Sequence, residues 1–167
     1  PRGSRGQRAH RYFLARVRRV GREEAAANVH IGISWLESVA LDHIKQIGGN
    51  VLIIGVGNTA MDCCRTSLRL GAKSVKVMAR KPRSGFKASE WELEDAEEEN
   101  VSIVINRSPK SFVTEGGKLK GMMFDIMEYD VDANGRITAE RVAGEEFLPA
   151  ADVILATGQE NAFPWIG

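Results

Sequence analysis

The stretch "VLIIGVGNTAMD", residues 51–62, constrains the fold more than any other part of the chain. Val51 to Ile54 are all branched and apolar, as a strand buried on both faces requires, and such strands belong to parallel sheets covered on each side. The following residues carry Met61, Leu68 and Leu70 at helical spacing, so strand, tight turn and helix are the implied order. Gly55 permits the turn, Gly57 has no Cβ to hold a phosphate away, and small Ala60 lets the helix pack closely on the strand. Asn58 and Thr59 are the candidate caps of that helix, whose free N–H groups and dipole would face a pyrophosphate. A glycine-rich turn without a ligand has the same local sequence, so the surrounding pattern has to decide.

With 167 residues and 43% apolar content the chain can bury the core of one ordinary domain. It has no run of about 18 apolar residues, so no membrane span is expected. The net charge of +1 hides an asymmetry, because eight arginines and no acids fall within the first 22 residues. Removing those eight from the 23 basic residues leaves 15 against 22 acidic ones, a body of charge −7. Residues 1–28 are expected to be a basic arm, and the opening "PRGS" resembles the remnant of a cleaved purification tag. Cys63 and Cys64 are neighbours on the expected helix, where they project about 100° apart, and read as small packing residues of a reducing compartment. His10, His30 and His43 are scattered, with no C-x-x-C or H-x-x-x-H spacing, so no metal site is expected.

Before the glycine turn, "SWLESVALDHIKQIGGN" opens on Ser34 with Glu37 three residues later and stops at Gly48-Gly49, the pattern of a capped helix. After it, the helix is expected to end near Gly71, and residues 74–79 make a second strand. Residues 80–89 form a loop, 89–100 a strongly acidic helix with Trp91, Leu93 and Ala96 inward, and 101–105 a third strand. A solvated helix face accounts for the acids. Beyond residue 106, strand-like runs are separated by Gly116-Gly117, Asn134-Gly135 and Gly144 with no helix between them, which predicts an antiparallel meander. "DVDANGR" (130–136) lacks the flanking helices and the twelfth-position Glu of a calcium loop and reads as a hairpin tip. An apolar strand, "DVILATG" (152–158), closes the pattern. The expected fold is α/β, a Rossmann-like parallel sheet flanked by helices with an inserted three-stranded antiparallel β-meander.

These residues resemble the NAD(P)H domain of the glutamate synthase small (beta) subunit family of FAD-dependent pyridine nucleotide oxidoreductases. "VLIIGVGNTAMDCCRTSLRLGAKSVKVMARKPR" is similar to that family's phosphate turn, helix and second strand, and "DVILATGQ" to its closing strand. Val56 stands where the family commonly has Gly, and Lys81 where it has a second Arg. The resemblance covers residues 29–167 and implies an NADP(H)-binding domain. Gly55, Gly57, Asn58, Thr59 and Ala60 would serve the pyrophosphate, Arg80, Lys81 and Arg83 the ribose phosphate, and Gly158 a close approach at the last strand. No catalytic side chain is expected, since the hydride chemistry belongs to the cofactors. FAD would sit in a second domain of the same parent chain, and the family leaves room there for iron–sulfur clusters and a larger acceptor subunit. The chain thus reads as the excised NADPH half of a cytoplasmic flavoprotein, inactive alone, with part of its arm an interdomain crossover.

NAD-selective folds place an Asp or Glu about 20 residues beyond the glycines. No acid occurs between Lys73 and Arg83, and Arg80 takes that place. The same arginine disfavours a methyltransferase. The absence of T-G-x-x-x-G-x-G and of Lys four residues after Tyr129 disfavours a short-chain dehydrogenase. Neither nucleic acid nor membrane is an expected partner. A stand-alone, non-catalytic nucleotide-binding or sensing module is the alternative, and the full reading frame would separate the two.

Overall fold

The computed structural model describes residues 28–80 and 90–156. Strand β1 (Val29–Ile31) leads directly into helix α1 (Gly32–Ala40). There follow β2 (Asn50–Ile54), α2 (Asn58–Arg69), β3 (Ser74–Met78), α3 (Glu90–Glu98), β4 (Val101–Val104), β5 (Arg107–Glu115), β6 (Lys118–Val131), β7 (Ile137–Pro149) and β8 (Asp152–Leu155). One sheet has five parallel strands in the order β1-β8-β2-β3-β4. The other is the antiparallel meander β5-β6-β7.

The central strands β2 and β8 are apolar and buried after their first residues because both of their faces are covered. Val51, Ile53, Val75, Val77, Val101 and Ile154 point to one side and pack with Trp35 of α1, Ala60, Met61, Cys63 and Cys64 of α2, and Ala96 of α3. Leu52, Ile54, Met78, Val153 and Leu155 point to the other and meet Met122, Phe124 and Leu148 of the meander. Period-two alternation sorts each strand between the two cores. The result is three layers, with helices on one face of the parallel sheet and the meander on the other.

Several expectations need correction. A short strand, β1, precedes the first expected helix. That helix starts at Gly32 and ends at Ala40, so Ser34 lies inside its first turn and does not cap it. The Ser34 carbonyl instead accepts a hydrogen bond from the Ser38 hydroxyl at 3.0 Å. Asp42 turns the chain at φ 57° and breaks the helix early, although Ile44 and Ile47 still pack on the helix-side core. Gly144 is not a turn but lies inside β7, beside a register shift where Ile126 faces Gly144 and Met127 faces Val142. The "DVDANGR" stretch is the β6–β7 hairpin. The Asp132 carboxylate accepts the N–H groups of Asn134 and Arg136 at 2.9 Å each, so the turn consumes that carboxylate itself. In α3, Glu94, Asp95, Glu97 and Glu98 are exposed and Ala96 is buried, while the side chains of Trp91 and Leu93 lie outside the described residues.

At the start of the strands, Asp152 ties three segments together. Its Oδ1 lies 3.0 Å from His30 Nε2 on β1 and accepts a bond from Asn28 Nδ2 at 3.3 Å, and its Oδ2 accepts the Gly48 N–H at 2.8 Å. Burial alone would raise this carboxyl, but the bonds from His30, Gly48 and Asn28 outweigh it and hold the group below its ordinary value. A folded-state pKa below the unfolded one gives stability that is present above the unfolded pKa and lost as pH falls through the folded one. Asp152→Asn turns one acceptor into a donor and should cost about 1–3 kcal/mol at neutral pH. In urea unfolding the cost should shrink in acid, and an equal cost at neutral and acid pH would contradict this account.

Candidate functional site

The C-terminal ends of β8, β2 and β3 lie side by side, in register at Leu155, Ile54 and Met78. Ligands of open α/β sheets bind outside this edge. The first residues past it are locked together: the Gly55 N–H donates to the Met78 carbonyl at 3.1 Å, and the Ala156 N–H to the Ile54 carbonyl at 2.9 Å. Gly55 has φ 123°, a conformation L side chains rarely adopt, so the chain can leave β2 and turn into α2 here only at a glycine.

Gly57, with extended backbone at φ −85°, is the N-cap of α2, and among the described residues no side chain caps this end. This corrects the expectation that Asn58 or Thr59 does so; both are already helical. Asn58 is exposed, and the Thr59 methyl packs against Gly32, where an added Cβ would lie 3.2 Å from it. The first intrahelical bond runs from the Met61 N–H to the Gly57 carbonyl at 3.2 Å. The N–H groups of Asn58, Thr59 and Ala60 precede it and make the positive end of the helix dipole, an arrangement suited to an anion. Ala60 is fully buried, as close packing of α2 on the sheet demands.

Gly32 is a contributor the sequence reading missed. An added Cβ would meet Thr59 Cγ2, Cys63 Sγ and the Leu155 carbonyl at 3.2–3.3 Å, so the start of α1 fits against α2 only with little room to spare. Cys63 and Cys64 are buried free thiols behind the turn. Burial, with the Asp62 charge adding to it, pushes the Cys63 thiol up to about 12, and burial raises Cys64 as well. Neither is a thiolate at neutral pH, and their part is packing.

Arg80 stands two residues past the end of β3, the strand beside the glycine turn. It is held from the meander. The Tyr129 hydroxyl on β6 donates to the Arg80 carbonyl, and Arg80 Nη2 lies 3.2 Å from Glu140 Oε1 on β7. Tyr129 and Glu140 are cross-strand partners, so one rung of the meander grips both ends of this residue. Partial burial outweighs the adjacent Arg80 charge and raises the Tyr129 hydroxyl above its ordinary value, which keeps it a donor. Neither residue was legible as a neighbour of Arg80, since they lie 49 and 60 positions further along the chain. The structure thus brings Gly55, Gly57, Asn58, Thr59, Ala60 and Arg80 to one edge of the sheet, while Lys81, Arg83 and Gly158 lie outside the described residues.

Residues 15–134 match the family described as pyridine nucleotide-disulphide oxidoreductase. The chain is 41% identical over 118 residues to the glutamate synthase [NADPH] small chain of Escherichia coli K12, across 69% of this chain and 25% of that protein. It is 36% identical over 142 residues to the NADP(+)-dependent formate dehydrogenase subunit beta of Moorella thermoacetica, across 83% of this chain and 20% of that one. It therefore spans about a quarter or less of the length of these two relatives. Among solved structures, Mycobacterium tuberculosis FprA in complex with NADPH shares the fold, with a TM-score of 0.61 at 16% identity, over 83% of this chain and 46% of that one.

Replacing Gly55 with Ala should strain the turn by about 1–3 kcal/mol. Urea unfolding checks this, and an unchanged midpoint would show that the turn does not require its glycine.

Proposed function

The chain belongs to the pyridine nucleotide-disulphide oxidoreductase family. On that premise we propose that residues 29–167 are the NADPH-binding domain of an FAD-dependent oxidoreductase similar to the glutamate synthase small chain. The parent is proposed to be cytoplasmic, with the flavin in another domain of the same chain and a larger subunit accepting the electrons. Among the described residues no helix is long and apolar enough to cross a membrane.

What carries the reading is the placement of Arg80, a cation at the end of β3, beside an uncapped helix N-terminus on the adjacent strand. In an NAD-selective fold an acid would stand at that strand end to accept the ribose hydroxyls. When bound, the nicotinamide supplies a hydride to the flavin. This chain's own residues bind and orient. The N–H groups of Asn58, Thr59 and Ala60 would receive the pyrophosphate, with Gly55 and Gly57 leaving room for it. Arg80, whose planar fork matches phosphate geometry, would take the 2′-phosphate together with Lys81 and Arg83. Gly158 would allow the close approach at the end of the last strand.

NADPH should then bind more tightly than NADH, each charged hydrogen bond contributing about 1.5–3 kcal/mol before exposure and ordering reduce it. Changing Arg80 and Lys81 to Ala should erase most of the preference and leave NADH affinity nearly intact. Titration calorimetry with both nucleotides measures this. Equal affinities in the unaltered chain, or equal losses in the double variant, would overturn the assignment of the ribose end.

A further inference from the structure

We propose that Glu140 sets the strength of the nucleotide preference by competing with the 2′-phosphate for the Arg80 guanidinium. The inference rests on the reading that Arg80 receives that phosphate. Glu140 Oε1 sits 3.2 Å from Arg80 Nη2, so an anion already lies against the guanidinium that the phosphate would use. The pairing is imposed by the fold. Glu140 stands opposite Tyr129 in the β6–β7 register, and the Tyr129 hydroxyl is bonded to the Arg80 carbonyl. The far half of the hairpin is thereby fixed over the end of β3, and the carboxylate is delivered with it.

A 2′-phosphate arriving at Arg80 meets a like charge. Two anions on one guanidinium repel each other. Either Glu140 swings away or it stays and weakens the phosphate contact; both lower NADPH affinity. NADH has no 2′-phosphate and leaves the Arg80–Glu140 pair in place. The side chains of Arg80 and Glu140 are 25% and 43% exposed, so the pair is weak enough for the phosphate to displace. Glu140 therefore dampens the preference and does not reverse it.

Glu140→Gln keeps the side-chain shape and removes the charge. It should tighten NADPH binding by about two- to fivefold, the range of a solvent-exposed ion pair, and leave NADH unchanged. Adenosine 2′-monophosphate should gain by the same factor and adenosine 5′-monophosphate should not, which locates the effect at the ribose. Glu140→Ala, which shortens the side chain, is the second variant and should act in the same direction. Unchanged or weakened NADPH binding in the folded variants, or equal changes for both nucleotides, would overturn the proposal. Arg80→Ala measured alongside separates the two levels. If Arg80→Ala abolishes the preference while Glu140→Gln is neutral, only the role of Glu140 fails. If Arg80→Ala leaves the preference intact, the assignment of Arg80 fails and Glu140 falls with it.

Discussion

The burial of β2 on both faces is the constraint on which the rest of the structure depends. Val51 and Ile53 look to the helices, Leu52 and Ile54 to the meander, and all four are at most 2% exposed. A strand with no polar face is stable only between two covering layers. Helices α1–α3 supply one, and among the described residues the other comes from the meander, through Met122, Phe124 and Leu148. The meander is therefore half of the sheet's enclosure and no mere insertion between β4 and β8.

That enclosure also makes the site. Once β6 is pinned by Met122 and Phe124, its continuation runs past the end of β3 and brings Tyr129 and Glu140 onto Arg80. On the opposite layer, burial of Ala60, Met61, Cys63 and Cys64 fixes α2 against the sheet and aims its free N–H groups beyond the strand ends. The α2 N-terminus and Arg80 are held by different layers but share one edge, because they follow the neighbouring parallel strands β2 and β3. At the other end of the sheet, Asp152 binds β8 to β1 and to the segment before β2.

What was legible in the sequence follows the range of the interactions responsible. The β2 run, the glycine turn, helix α2 and the hairpin tips are encoded within a few residues, and all were readable. The early end of α1 was not, since Ile44 and Ile47 keep the apolar pattern going after Asp42 has broken the helix. Strand β1 is three residues long and is a strand only because β8, more than 120 positions away, pairs with it. The cap of α2 was misplaced by one or two residues because Asn58 and Thr59 have capping side chains, yet Thr59 is used in packing on Gly32. Gly144 has the composition of a turn but accommodates a register shift within a long strand. The partners of Arg80 are wholly tertiary and left no local signal.

The central claim is that the glycine turn and the end of β3 together receive one phosphorylated dinucleotide. Amide chemical-shift mapping by NMR, titrating the chain with NADPH and then NADH, tests it most directly. Both nucleotides should shift the amides of residues 55–60, and NADPH alone should strongly shift Arg80 and the facing pair Tyr129 and Glu140. Shifts confined to other surfaces, or identical responses of Arg80 to the two nucleotides, would contradict it.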